Sequence, residues 1–190
     1  MSSRAKLVIF ISGKGSNFNA ILSACKNNLL KADIVAVFSN KADAYGLKYA
    51  TENKINSFVI ENKNFADRES YDLEIINHLN KIDYDFICFA GYMRLVSSYF
   101  LENVKSPVIN IHPSLLPKYK GANAILEAYN ANETDFGCTV HHVILEMDAG
   151  DIILQKKIKK DQNDDFLSLK DKIHKIEHEC YVEALNLLIK

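Results

Sequence analysis

Along this chain, short runs of β-branched and aromatic residues alternate with stretches whose apolar positions recur at helical spacing. The first run, KLVIFIS (6–12), is apolar almost throughout and predicts a buried strand. NFNAILSACKNNLL (17–30) then predicts an amphipathic helix with Phe18, Ile21, Leu22, Cys25 and Leu29 on one face. DIVAVFSN (33–40) is a second strand, a helix follows around AYGLKYATEN, and NSFVIE (56–61) is a third strand. DRESYDLEIINHLNKI (67–82) has helical periodicity with Asp67 placed to cap it. DFICFAG (85–91) and PVINI (107–111) are further strands. This order implies an α/β fold: a doubly wound, mostly parallel, Rossmann-like sheet with helices on both faces and right-handed crossovers.

After residue 130 the rhythm changes. GCTVHHVILE (137–146) and DIILQKKIK (151–159) predict two strands joined by MDAG, extending the sheet in mixed fashion. FLSLKDKIHKIEHECYVEALNLLI (166–189) predicts a long amphipathic helix packed across it. No repeat or low-complexity linker interrupts the pattern, so a single domain over residues 1–190 is expected.

Composition narrows the function classes. A net charge of −1 argues against a general nucleic-acid or membrane-surface binder, and the basic run QKKIKKD (155–161) is answered at once by acids. Cys25, Cys88, Cys138 and Cys180 lie far apart, giving neither a zinc knuckle nor a disulfide framework. The apolar run after Arg4 and Lys6 is too short for a signal peptide, and no stretch approaches membrane-spanning length. A cytoplasmic, reduced protein is the expectation.

Two places carry chemistry. SGKGSN (12–17) follows the first strand and opens the first helix, where free backbone N–H groups and the helix dipole favour an anion. G-x-G-x-x-G fails at Phe18, no acid ends the second strand, and no G-x-x-x-x-G-K-[ST] occurs. NAD and ATP sites are therefore disfavoured, leaving either a single-phosphate cradle or a tight turn without ligand. In NIHPSLLP (110–117), Asn110 and His112 are two apart on an extended segment and point to one side, and Pro113 stops the strand. Ligands of a doubly wound sheet bind beyond the carboxyl ends of its strands, so this pair faces a cleft. Asp148, in the loop LEMDAGDI, is the candidate acid to orient the imidazole and favour its charged form. Ser114 lacks a nucleophile elbow, and EHE (177–179) lacks metal-ligand spacing on a helix. His78 and His174 lie in charged helices and are expected at the surface.

Taken together, ISGKGSN, VFSNKADAYGL, DRESYD, AGYMRL, NIHPSLLPKYKG, GCTVHHV and DAGDIILQ resemble the glycinamide ribonucleotide formyltransferases, a branch of the folate-dependent formyl-transfer family. The resemblance implies a catalytic trio of Asn110, His112 and Asp148. It implies a phosphate loop of Gly13, Lys14, Gly15, Ser16 and Asn17, with Glu177 on the ribose. It places Arg68, Met93, Arg94, Leu95, Val96, Asn110, Glu146 and Asp148 on the folate side, and Lys118 and His141 along the cleft. Lys14 stands where some members carry Asn or Arg, and Asp151 where many carry Pro or Gln.

The implied partners are glycinamide ribonucleotide and 10-formyltetrahydrofolate as co-substrate. No permanently bound cofactor, metal, NAD or ATP is implied, and no nucleic acid or membrane; a monomer or weak homodimer is expected. The amine attacks the formyl carbon, Asn110 and protonated His112 hold the oxyanion, and Asp148 keeps His112 charged and relays protons. The N-terminal half would then hold the ribonucleotide and the C-terminal half the folate and catalytic loop. A formyltetrahydrofolate hydrolase or a methionyl-tRNA formyltransferase shares HPSLLP, but each usually adds a domain for which 190 residues leave no room. A non-catalytic sugar-phosphate binding protein would keep the glycine loop and lose the trio.

Overall fold

The computed structural model describes residues 4–189. Seven strands form one sheet: β1 (Ala5–Ile11), β2 (Ala32–Ser39), β3 (Ser57–Val59), β4 (Phe86–Phe89), β5 (Val108–His112), β6 (Asp135–His142) and β7 (Ile152–Lys159). Their order is β3-β2-β1-β4-β5-β6-β7. The first five are parallel, while β6 and β7 pair antiparallel, as the change of rhythm after residue 130 predicts.

Helices α1 (Ser16–Lys26), α2 (Gly46–Glu52), α3 (Arg68–Leu79), α4 (Ser98–Asn103), α5 (Ala124–Asn130) and α6 (Phe166–Leu188) surround the sheet. In β1, Leu7, Ile9 and Ile11 pack with α1 and α6 on one face, while Val8 and Phe10 pack with Tyr71, Ile75 and Phe100 on the other. Both faces of the strand are covered, so it reads as unbroken apolar sequence rather than as an alternation. Tyr181 of α6 donates its hydroxyl to the carbonyls of Phe89 and Ile109 at 3.2 and 3.0 Å, tying the last helix to β4 and β5.

Asp67 does cap α3: its carboxylate accepts the Ser70 N–H at 2.7 Å and Ser70 answers the cap backbone. Other boundaries move. Helix α1 ends at Lys26, because Asn28 takes φ 56° and turns the chain. Leu29 therefore leaves the helical face and is 67% exposed, and Leu30 is buried in its place. Strand β6 stops at His142, and residues 143–150 form a loop instead of strand. Helices α4 and α5 have no clear signature, being barely two turns long. His78 is half-buried against Phe58 and pairs with Glu74, short of the surface position expected for it, whereas the His174 side chain is 41% exposed and pairs with Glu177.

Strands β2 and β3 are added on one side of β1 and β4 and β5 on the other, all parallel, so the strand order reverses between β1 and β4; the crevice outside such a switch point is where an α/β sheet takes its ligand. The SGKGSN loop leaves β1 there, and the loop after β4 lies beside it: Ser12 N–H donates to Gly91 O at 3.1 Å, and Met93 N–H donates to Ser12 Oγ at 2.8 Å. Strand β5, carrying Asn110 and His112, is the next strand over.

Candidate active site

Asn110 and His112 lie on the same side of β5, and the antiparallel register sets His141 directly opposite Asn110 and Thr139 opposite His112. His141 thus enters the site as a cross-strand neighbour. Its Nδ1–H donates to the His142 carbonyl at 2.8 Å. A neutral ring then accepts at Nε2 from the Asn110 amide, 3.3 Å away. A charged ring would donate instead to Asp148 Oδ1 at 3.6 Å.

The loop after β6 folds back to deliver the acid. Gly150 makes this return possible, since a Cβ there would collide with the His142 carbonyl. Asp148 itself takes φ 50°. Its Oδ2 accepts the Gly121 N–H at 2.9 Å and stands 3.4 Å from His112 Nδ1. Burial alone would push the Asp148 carboxyl up. The hydrogen bonds from His141 and Gly121, with the charges of His112 and His141, outweigh it and hold the group below the ordinary carboxylate range. Asp148 is thus a carboxylate throughout the neutral range.

On its other side His112 Nε2 is 2.7 Å from the Tyr119 carbonyl. A carbonyl only accepts, so Nε2 carries a proton and Nδ1 is the nitrogen that gains or gives one. The loop from Pro113 to Gly121 therefore brackets the pair, with Tyr119 O on the imidazole and Gly121 N–H on the carboxylate. It is itself pinned by Thr139, whose buried hydroxyl donates to Ser114 O at 2.7 Å and accepts from Leu116 N and from Gln155.

Asn110, His141 and Asp148 line a crevice with Arg94, Leu95, Val96 and Glu146. Phe89, Val143, Ile144, Leu145 and Met147 complete its walls. The exposure of Leu145 and Met147 at 64% and 43% makes this an apolar mouth with polar groups at its base, the build of a small-molecule site. Arg94 is set by stacking on Tyr71, 4.7 Å from the ring centre. Of the remaining folate-side expectations, Arg68 begins α3 on the surface and Met93 is 71% exposed; neither lines the crevice. Lys118 turns away from it. It pairs with Glu133 at 2.9 Å and borders a separate cavity of about 270 Å³ behind the loop. The apolar 143–147 wall escapes sequence reading because those residues continue a strand pattern that the chain abandons at His142.

At the other site, Gly15 caps α1 with φ 71°, and a Cβ there would lie 2.7 Å from Gly46 Cα. Its smallness thus serves the packing of the loop on α2. Gly13 has nothing within 4 Å of its Cβ direction, and Lys14 and Ser16 are exposed. Asn17 is buried, yet its Oδ1 has no protein donor, an acceptor left open at the first turn of the helix. Glu177 is buried on α6 with its carboxylate 2.6 Å from His174 Nδ1. Cys25, Cys88, Cys138 and Cys180 are all free and buried. Among the described residues no helix is long and apolar enough to cross a membrane.

The formyl transferase family profile matches residues 5–185. The chain is 42% identical over 188 residues to the trifunctional purine biosynthetic protein adenosine-3 of Drosophila melanogaster, covering 98% of this chain but 14% of that protein. It thus spans between about a seventh and about a fifth of the trifunctional relatives' length. Against the phosphoribosylglycinamide formyltransferase of Escherichia coli K12 the identity is 39% over 175 residues, 92% of this chain and 82% of the relative. The crystal structure of glycinamide ribonucleotide transformylase 1 from Symbiobacterium toebii superposes with a TM-score of 0.94 at 33% identity, covering 100% of this chain and 89% of that one. The phosphoribosylglycinamide formyltransferase of Brucella melitensis gives 0.91 at 39%, covering 98% and 96%.

Proposed function

We propose, because this chain belongs to the formyl transferase family, that it moves a formyl group from 10-formyltetrahydrofolate to the amine of glycinamide ribonucleotide, a step of purine biosynthesis. The observation that carries the reading is the convergence of one amide, one imidazole and one carboxylate, from Asn110, His112 and Asp148, beside a crevice with an apolar mouth. The folate occupies that crevice against Arg94, Leu95, Val96 and the 143–147 wall. The ribonucleotide phosphate lies on the Gly13–Asn17 loop, where no side chain caps α1 and its first N–H groups are open as donors.

The amine nitrogen attacks the formyl carbon, and the carbonyl electron pair moves onto oxygen. Asn110 has a second amide N–H besides the one facing His141, and His112 has its Nδ1–H; each donor to the oxyanion contributes on the order of 10² to 10³ in rate. At 3.4 Å from Asp148, the Nδ1–H is held loosely enough to turn to a ligand oxygen. Collapse returns the pair to the carbonyl and breaks the bond to the folate nitrogen, which takes up a proton equivalent to the one the amine gave up. Asp148, charged at neutral pH, faces the His112 Nδ1 and passes that proton through water. No step needs a covalent link to the protein.

Replacing His112 by Ala tests the assignment. Single-turnover formyl transfer should slow by about 10²- to 10³-fold while both substrates still bind. A folded His112→Ala protein with a near-native rate would remove the imidazole from the chemistry.

A further inference from the structure

Outside the crevice, one polar cluster reaches the trio by a route that the reaction itself leaves unused. Glu133 Oε1 accepts both the Tyr119 hydroxyl at 2.8 Å and the Lys118 ammonium at 2.9 Å. The Tyr119 carbonyl in turn accepts His112 Nε2–H at 2.7 Å. We propose that Glu133 is a positioning residue for the reaction, acting on His112 through Tyr119; the proposal rests on the formyl-transfer reading only for its kinetic consequence.

Both ends of this relay are fixed. Glu133 follows the turn that ends α5: Asn132 takes φ 54°, and the Glu133 N–H donates to Ala128 O at 3.2 Å. The Tyr119 ring packs on the small core cluster of Ile125, Ala128, Phe136, Leu169 and Ile173. Its backbone has φ 56°, a conformation a tyrosine holds only when its surroundings impose it. Here the imposing groups are the ring's apolar seat, the hydroxyl bond to Glu133, and Ser114 Oγ, which donates to Lys118 O at 2.7 Å and holds the preceding peptide. The Lys118 and Tyr119 bonds keep the Glu133 carboxyl below its ordinary range, so the anchor stays charged at neutral pH.

The consequence falls on one atom. While the 119 carbonyl is held in place, His112 keeps its proton on Nε2, and Nδ1 is the nitrogen presented to Asp148 and to substrate. Freeing Tyr119 lets the carbonyl drift, and a ring that loses its Nε2 acceptor can carry its proton on either nitrogen. Geometry and tautomer then fail together, although the pocket that binds the folate is untouched.

The test compares Glu133→Ala and Glu133→Gln in the full chain. Glu133→Ala should lower kcat about 10- to 100-fold with the KM for each substrate unchanged within about twofold. In ¹⁵N NMR of the neutral ring, His112 should lose its fixed Nε2–H form and become a tautomer mixture. Glu133→Gln keeps an oxygen for the Tyr119 hydroxyl and should restore most of both readouts. Tyr119→Phe, which removes only the hydroxyl, should shift the same ring signals and covers the case in which Glu133→Ala fails to fold. A changed ring spectrum in a protein that proves to have no formyl-transfer activity would uphold the positioning and sink the proposed reaction. Unchanged ring signals and kcat, with only a lower Tm, would reduce Glu133 to a structural residue and overturn the proposal, as would a Glu133→Gln as poor as the alanine variant.

Discussion

Asp148 is served by three segments at once: His141 from β6, His112 from β5 and the Gly121 N–H from the 113–121 loop. Substituting Asn keeps the shape and an acceptor for Gly121 while removing the charge that favours the imidazolium. Turnover should fall by about 10²- to 10⁴-fold, with substrate binding far less affected. The same carboxyl makes a stability prediction with a definite sign. Its folded value lies below the unfolded one, so its stabilising contribution is complete above the ordinary carboxylate range and is lost as pH falls through the lower, folded value. Denaturant midpoints of wild type and Asp148→Asn should therefore differ more at pH 6 than at pH 3, and a pH-independent difference would contradict the pairing. At this scale the sequence was informative for side chains and silent for backbone. Asn110 and His112 were legible because strand periodicity puts residues two apart on one side. Tyr119 was not, because what it contributes is a carbonyl, which every residue has; its placement depends on a turn that no residue type announces.

At the scale of elements, the glycine loop separates into two functions. Gly15 is required by its own φ of 71° and by the nearness of Gly46, whereas a Cβ added at Gly13 would meet no atom within 4 Å. Gly15→Ala should then cost about 1–3 kcal/mol of stability and lower the Tm whatever is bound. Gly13→Ala should leave the Tm unchanged and raise the KM for the ribonucleotide selectively, because any crowding falls on the ligand's side. A Gly13→Ala protein with unaltered ribonucleotide KM would move the phosphate elsewhere. The spacing of the two glycines announced a tight turn after β1; only the packing of α2 tells which of them the turn itself consumes. The loop after β6 is the opposite case. Its apolar residues Val143, Ile144 and Leu145 continue the strand pattern, yet they serve as a pocket wall, and hydropathy cannot tell a wall open to ligand from a strand buried in a core.

At the scale of the whole molecule, strand order does the work of assembly. The switch between β1 and β4 opens the crevice, parallel β4 and β5 bring the 91–96 loop and the Asn110–His112 pair to one end, and antiparallel β6 returns His141 and Asp148 to them. The alternation of strand and helix predicted this class of sheet and its mixed C-terminal edge. It did not predict that the chain between β5 and β6 would contact the trio at two points, since that depends on hydrogen bonds from Thr139 and Gln155 across the sheet. The reading as a whole stands on where the formyl group goes. The purified chain should be mixed with 10-formyltetrahydrofolate labelled at the formyl carbon and with glycinamide ribonucleotide, and the label followed without added metal or ATP. The account predicts label in the formylated ribonucleotide, appearing in step with loss of the formyl-folate. Label released as formate at the same rate with or without the ribonucleotide, or no consumption of the folate at all, would contradict it.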